Sequence, residues 1–168
     1  MDVQKTNNEA IAKYIVQMQI RAKAVVIFQN KNQFLFTICY EQSNNQVFYI
    51  PVGGGVEAGE YSIDAAKREV LEEISQEIEN IELLNINENI FTYNGKGEHE
   101  IVFIYKAEFK NKLAYDTTLM GNPKDDGAKI KVAWATTDEI KDQHIKIYPE
   151  CLWEILDQLT KDKGHTNR

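Results

Sequence analysis

The stretch between Gly53 and Ser75 constrains the fold more than any other part of the chain, because it places one amphipathic helix directly behind a run of glycines. Apolar residues at helical spacing predict a helix over 62–75, namely Ile63, Ala66, Val70 and Ile74. Ser62 is the predicted N-cap, because its hydroxyl can accept a hydrogen bond from the first turn. A helix with one apolar face must pack against another element.

Strand-like segments lie on both sides of this helix. Alternating and β-branched residues predict strands at 20–28, 33–40, 47–50, 83–93, 101–109 and 130–135. The sequence Asn94-Gly95-Lys96-Gly97 has hairpin-turn chemistry, and Pro149 is expected to begin a final helix. This order predicts an α/β (α+β) fold with a mixed β-sheet sandwiched between α-helices.

The 168 residues show no internal repeat, no low-complexity block and no linker, so we expect one domain over 1–168. Residues 1–19 form an N-terminal extension in this interpretation, in which 7–18 either is helical or leads into a strand. Residues 116–128 read as a long polar surface loop, and 162–168 as a frayed tail.

Composition narrows the classes of function. With a net charge of −7 and no Lys/Arg-rich stripe, the chain is not expected to bind a long nucleic acid. It has no apolar run long enough to cross a membrane and no signal-peptide pattern, so a cytoplasmic location is expected. Cys39 and Cys151 lie far apart and belong to no CxxC pair, which argues against a disulfide framework or a zinc site.

Three carboxylates share one face of the predicted helix. Glu69, Glu72 and Glu73 sit at i, i+3 and i+4, where each like-charged pair costs a few tenths of a kcal/mol, on the order of 0.2–0.5. A hard divalent cation such as Mg²⁺ or Mn²⁺ would explain the arrangement, because it prefers oxygen ligands. A solvated acidic face is the alternative interpretation.

The residues around these glutamates form a longer pattern. Gly54 is followed after five residues by Glu60, which is followed after seven by Arg68, within the segment GGVEAGEYSIDAAKREVLEE. This segment resembles the box of the Nudix hydrolase family, as found in bacterial MutT/Nudix-type proteins. One departure is clear: the family's glycine after the Glu-Glu pair is Ser75 here. Either Ser75 is strained at the helix end, or the helix runs on and Ile78 supplies the apolar contact.

The resemblance implies roles for individual residues. Glu69, Glu72 and Glu73 would be catalytic and would bind Mg²⁺ (or Mn²⁺), with the backbone carbonyl of Gly53 also facing the metal. Structural support would come from Gly54, Glu60 and Arg68. Arg68 and Glu60 are expected to form an ion pair that orients the carboxylates, and Arg68 also counts among the candidate catalytic residues.

Family members often add an acidic residue from outside the box. Glu98 and Glu100 are the candidates, and Glu100 is preferred as catalytic residue and metal ligand because a strand would hold it more rigidly. His99 between them is expected at the surface. Aromatic residues that could stack on a base are Tyr49, Phe91, Tyr93 and Trp134.

The resemblance implies divalent-metal-dependent hydrolysis of a diphosphate linkage in a nucleoside diphosphate linked to another moiety. The alternative is a non-catalytic Nudix-fold module that binds or senses a nucleotide. A P-loop is excluded because no Gly-Lys-Ser/Thr follows the glycines. The partner is thus expected to be a small nucleotide, with the specificity residues at 40–50 and 110–130, and a homodimer is left open.

Overall fold

The computed structural model describes residues 19–42, 44–93, 95–116, 119, 121–122 and 130–164. The predicted feature at 7–18 lies outside these ranges, as does most of the predicted loop 116–128. The strands are β1 (Ile20–Ile27), β2 (Gln29–Asn30), β3 (Gln33–Glu41), β4 (Gln46–Ile50), β5 (Val52–Gly55), β6 (Ile78–Tyr93), β7 (Lys96–Phe109), β8 (Lys131–Thr136) and β9 (Lys146–Ile147). The helices are α1 (Ser62–Ile74), α2 (Thr137–Asp142), α3 (Leu152–Gly164) and a 3₁₀ turn at Lys112–Tyr115.

The strands form two sheets. The first has the order β5-β1-β7-β6, with β1 and β7 parallel and the other pairs antiparallel. The second has the order β2-β3-β4-β9, with β8 added on β3. The prediction of an α+β fold built on mixed sheets is confirmed, although the pattern of strands did not predict their division between two sheets.

Strand β1 places the first sheet between two helices. Ala24 and Val26 belong to the same buried cluster as Val70 of α1, whereas Val25 and Ile27 share the other cluster with residues of α3. Successive side chains of a strand point to opposite faces, so a fully apolar strand can serve two cores. The sheet is therefore sandwiched between α1 and α3, as expected.

Helix α1 packs on β1 and β5 through Ala66, Val70 and Ile74 of its predicted apolar stripe, together with Ala65. The prediction was wrong for Ile63, which is exposed. Burying a side chain such as valine or isoleucine contributes about 1.5–3 kcal/mol to stability. This contact fixes the position of the helix against the sheet. It leaves the glutamates on the faces that do not enter the core.

The predicted N-cap at Ser62 was wrong. The N-cap is Tyr61, in an extended conformation and without a side-chain capping hydrogen bond. Ser62 lies inside the helix, and its hydroxyl lies 2.7 Å from the hydroxyl of Tyr105 on β7. The Ser62 hydroxyl thus interacts with Tyr105, a residue distant in sequence, and does not cap the helix as local sequence rules predict.

At the other end of α1, the structure decides between the two alternatives for Ser75. Ser75 is the C-cap in a left-handed conformation (φ 55°, ψ 36°), and its N–H donates to the Leu71 carbonyl oxygen at 3.0 Å. A serine in this region costs about 1–2 kcal/mol relative to the right-handed conformation. The helix does not run on, since β6 begins at Ile78, which is buried in the same cluster as Ile74.

Several boundaries differ from prediction. Gly53, Gly54 and Gly55 belong to a strand, β5, because their backbone pairs with β1. Strand propensity does not predict this pairing, since glycine is depleted in strands. Strand β6 starts at Ile78 instead of 83, and α3 starts at Leu152, whose N–H donates to the Pro149 carbonyl oxygen in a turn. Helix α3 continues to Gly164, three residues into the predicted frayed tail 162–168.

Two absences hold for the described part of the chain. No helix there combines the length and apolar character needed to cross a lipid bilayer. Cys39 and Cys151 are both half-buried, and neither forms a disulfide there. Burial raises the pKa of the Cys151 thiol above its ordinary value.

Candidate active site

Arg68 connects the helix to the glycine strand. Its Nε and Nη2 atoms each donate to the Glu60 carboxylate at 2.9 Å, and Nη2 also donates to the Gly55 carbonyl oxygen at 2.8 Å. Its Nη1 donates to Glu69 at 2.9 Å and to Glu72 at 3.1 Å. The predicted ion pair with Glu60 is therefore present, and the same guanidinium also binds two of the candidate metal ligands.

These contacts have electrostatic consequences. The hydrogen bond from Arg68, followed by one from the Glu57 backbone, lowers the pKa of the Glu60 carboxyl below its ordinary value. The bonds to Glu60, followed by those to Glu69, hold the pKa of Arg68 well above its usual range. Both groups are thus ionised at neutral pH, and the helix face keeps one fixed cation among its carboxylates.

Two glycines let the strand approach the glutamates closely. A Cβ atom on Gly54 would lie 2.4 Å from Oε2 of Glu69, so the carboxylate occupies the space that any side chain would need. Gly53 has φ +145°, a backbone conformation that residues other than glycine rarely adopt. Its N–H donates to Oε2 of Glu73 at 3.2 Å. Glu69 and Glu73 therefore face the glycine strand, while Glu72 stays largely exposed.

This donor set fits a divalent cation. Oxygen atoms of carboxylates are the ligands that Mg²⁺ and Mn²⁺ prefer. The Glu69 and Glu73 carboxylates lie against the backbone of Gly53 and Gly54, which carry no side chains. Within the described ranges, no three Asp, Glu, His or Cys side chains converge as a ready-made cage. Arg68 and the Gly53 N–H instead hold the carboxylates in place.

A cavity of about 420 Å³ opens beside Gly53, between the first sheet and strands β3 and β4. It has the size of pockets that enclose small ligands. Aromatic side chains form part of its wall: Phe48, Phe91, Tyr93 and Tyr148. Charged side chains form another part: Arg21, Lys23, Glu41, Glu98 and Glu100.

Glu98 and Glu100 both line this cavity from strand β7. Glu100 is buried, with 4% of its surface exposed, and accepts from Arg21 at 2.8 Å and from Lys23 at 3.4 Å. Glu98 pairs with the same Arg21 at 2.7 Å but is more exposed. Glu100 is thus the more buried of the two carboxylates and has two cationic partners.

His99 points away from this cavity. Its Nε2 lies 2.8 Å from Glu88 on the neighbouring strand β6, in an exposed pair. It is absent from the cavity wall, in keeping with the expected surface position.

The aromatic candidates separate into two groups. Phe91 and Tyr93 line the cavity, where Tyr93 and Tyr148 approach the Phe48 ring edge-on at 6.2 and 5.5 Å. Tyr49 instead stacks on Phe36, which is buried in the core. Trp134 packs near Phe109 and Tyr115 on another side of the molecule.

Phe48 of the cavity wall lies within the predicted specificity segment 40–50, whereas sequence reasoning did not single out Arg21, Lys23 or Tyr148. A signal existed for the cations, because Arg21 and Lys23 alternate with Ala22 and Ala24 and so share one face of β1. No local signal places Tyr148 beside Phe48, since only the pairing of β4 with β9 brings them together.

A loop residue closes the end of α1. The Asn122 N–H donates to the Glu73 carbonyl oxygen at 2.7 Å, and its Nδ2 donates to the Glu72 carbonyl oxygen at 2.7 Å. The same Nδ2 donates to the Ser75 hydroxyl at 2.8 Å. Sequence reasoning did not single out Asn122 within the predicted loop.

The chain is similar to known proteins in its sequence profile and in its fold. A family profile described as NUDIX domain matches residues 18–158. The chain is similar to the mutator MutT protein of Bacillus halodurans (21% identity, TM-score 0.57, 84% of this chain and 82% of that one). It is also similar to a NUDIX hydrolase from Nitrosomonas europaea (20% identity, TM-score 0.55, 89% and 92%).

A MutT NUDIX hydrolase from Burkholderia pseudomallei is a further structural neighbour (20% identity, TM-score 0.53, 71% of this chain and 85% of that one). At such identities these likenesses concern the fold alone. No curated protein sequence matches the chain.

Proposed function

Since this chain belongs to the NUDIX family, whose members generally hydrolyse pyrophosphate bonds in nucleoside diphosphate derivatives, we propose that it is a divalent-metal-dependent nucleotide pyrophosphohydrolase. Its substrate is a nucleoside diphosphate linked to another moiety. The observation that carries the proposal is the contact of the helix carboxylates of Glu69 and Glu73 with Gly54 and Gly53.

Glu69, Glu72 and Glu73, with the backbone carbonyl of Gly53, would hold Mg²⁺ or Mn²⁺. When bound, such a cation lowers the pKa of water and offsets charge on phosphate oxygens. Arg68 orients two of these carboxylates through hydrogen bonds of 2.9 and 3.1 Å. It also fixes the helix against the glycine strand through Gly55.

The reaction adds water across a P–O–P linkage. The water oxygen forms a bond to one phosphorus while the bond from that phosphorus to the bridging oxygen breaks. The bridging oxygen leaves on the other phosphate, and the proton of the water passes to a carboxylate. Glu100 is the candidate acceptor outside the box, since its buried carboxylate lines the cavity that Gly53 also lines.

The cavity supports a nucleotide as the bound species. Its aromatic wall, made by Phe48, Phe91, Tyr93 and Tyr148, offers rings that can contact a nucleobase. Arg21 and Lys23 line the same cavity as that wall and Gly53. They provide cationic groups for phosphate oxygens, since both are partly exposed despite their pairing with Glu100.

The test is a panel of nucleoside triphosphates, dinucleoside polyphosphates and nucleotide sugars with Mg²⁺ or Mn²⁺, comparing the native protein with Glu73→Gln. We expect hydrolysis of at least one class by the native protein and its loss in Glu73→Gln, with unchanged thermal unfolding. Glu77→Gln is the matched control, because Glu77 only pairs with the exposed Lys110. Unaltered turnover in Glu73→Gln would contradict the proposal.

The same panel addresses the sensor alternative. A non-catalytic module would bind a nucleotide, detected by calorimetry, without releasing any product at any metal concentration. That outcome would replace the hydrolase proposal with the binding one.

A further inference from the structure

We infer that Asn122 is a positioning residue that holds Glu72 and Glu73 of α1 in place for metal binding. The inference rests on the proposed function for the metal itself, but its geometric part concerns only the end of the helix. Asn122 lies far from the box in sequence, 50 positions after Glu72.

Asn122 supplies partners to the carbonyls of those two residues. The last carbonyls of a helix have no partner within it, and here the Glu72 and Glu73 carbonyl oxygens accept from Asn122 at 2.7 Å each. One bond uses the side-chain amide and the other the backbone N–H. The two proposed ligands at the end of the helix are therefore bound through their own backbone.

Asn122 also contacts Ser75, the residue that ends α1. Ser75 adopts the left-handed conformation that glycine adopts without steric cost, so the end of α1 is strained in this chain. Its hydroxyl exchanges hydrogen bonds with the Asn122 amide, at 2.8 Å from Nδ2 and 3.2 Å to Oδ1. Asn122 thus stabilises the unusual C-cap as well as the two carbonyls before it.

Asn122 is itself anchored to the second sheet. Its carbonyl oxygen accepts from the N–H of Ile130 at 3.2 Å, one residue before β8. The preceding Gly121 packs so closely on this residue that an added Cβ atom would lie 2.0 Å from the Ile130 carbonyl oxygen. The contact joins the end of α1 to the residue before β8, so the backbone that carries Glu72 and Glu73 is held from the side of the second sheet as well.

The test compares the native protein with Asn122→Ala, first without metal. Hydrogen–deuterium exchange of residues 72–76 should become about two- to tenfold faster, as expected for losing one or two net hydrogen bonds. Calorimetric titration with Mn²⁺ should then show about tenfold weaker binding, in the range for removing a group that orients metal ligands. Turnover at saturating Mn²⁺ should recover towards the native value.

Two further variants separate positioning from general destabilisation. Asn111→Ala is the matched control, because Asn111 also caps a helical turn, by accepting from the Leu113 N–H at 3.2 Å, but that turn is Lys112–Tyr115 and not α1. It should leave Mn²⁺ affinity unchanged. Adding Ser75→Gly to Asn122→Ala should restore part of the lost affinity, since glycine tolerates the C-cap conformation.

Native exchange rates and native Mn²⁺ affinity in Asn122→Ala would overturn the inference. So would an equal loss of affinity in Asn111→Ala, which would indicate a general effect on the fold. If the native protein bound no Mn²⁺, the proposed function would fail separately, and the exchange of residues 72–76 would decide the positioning role by itself.

Discussion

The Arg68 guanidinium holds the Glu60 carboxylate through two parallel hydrogen bonds, from Nε to Oε1 and from Nη2 to Oε2, each 2.9 Å long. Such a fork is specific to arginine, whose planar group matches a carboxylate in two places. Because the same group also binds Gly55, Glu69 and Glu72, one side chain links the helix, the preceding turn and the glycine strand.

Arg68→Lys should therefore be far from conservative. A lysine keeps the charge but cannot bind Glu60 in two places while also reaching Gly55. We expect kcat to fall by about 10–100-fold, with weaker Mn²⁺ binding and a smaller effect on KM. Lys67→Ala is the control, because Lys67 only forms an exposed pair with Asp64 on the same helix. Near-native kcat in Arg68→Lys would contradict this role.

Gly54→Ala should impair activity through one methyl group. The added Cβ atom would lie 2.4 Å from the Glu69 carboxylate and displace it. We expect at least about tenfold loss in Mn²⁺ affinity and in kcat, as for other changes in ligand orientation. Gly55→Ala adds the same group one residue later, where nothing lies within 4 Å, and should have little effect. Equal activities in the two variants would disprove the contact.

The pairing of Glu60 predicts a dependence of stability on pH. Its pKa is lowered in the folded protein, chiefly by the bond from Arg68. The stabilisation is therefore present above the ordinary carboxyl pKa of about 4.5 and is lost as the pH falls through the lowered folded value. Glu60→Gln should unfold at a lower temperature than the native protein at pH 7, and the difference should shrink at acidic pH. A difference independent of pH would contradict the assignment.

The aromatic wall of the cavity predicts an effect on substrate binding. Phe91→Ala removes one ring, and loss of a stacking contact with a base costs about 1–3 kcal/mol. We expect KM to rise by a factor on the order of ten with little change in kcat. Ile90→Ala is the control, because Ile90 adjoins Phe91 on β6 but is exposed and lies outside the cavity wall. A fall in kcat alone would argue against a base at this position.

Local pattern sufficed for the box helix and for most strands. The stripe that includes Val70 and Ile74 predicted α1 to within one residue, because an apolar helical face is encoded in consecutive residues. The same logic missed α2, although Thr136 and Glu139 form a capping box there. It also missed β5, since three glycines carry no strand propensity and only pairing with β1 makes them a strand.

The sequence alone was enough to identify the box glutamates, Arg68 and the glycines as candidate site residues, because all of them lie at fixed spacing within one short segment. Tertiary structure decided what surrounds them. Asn122 reaches Glu72 and Glu73, and Arg21 meets Glu100 across the parallel pair β1 and β7. Those contacts join residues 49 to 79 positions apart, so they depend on how strands pair and sheets pack, which no local spacing specifies.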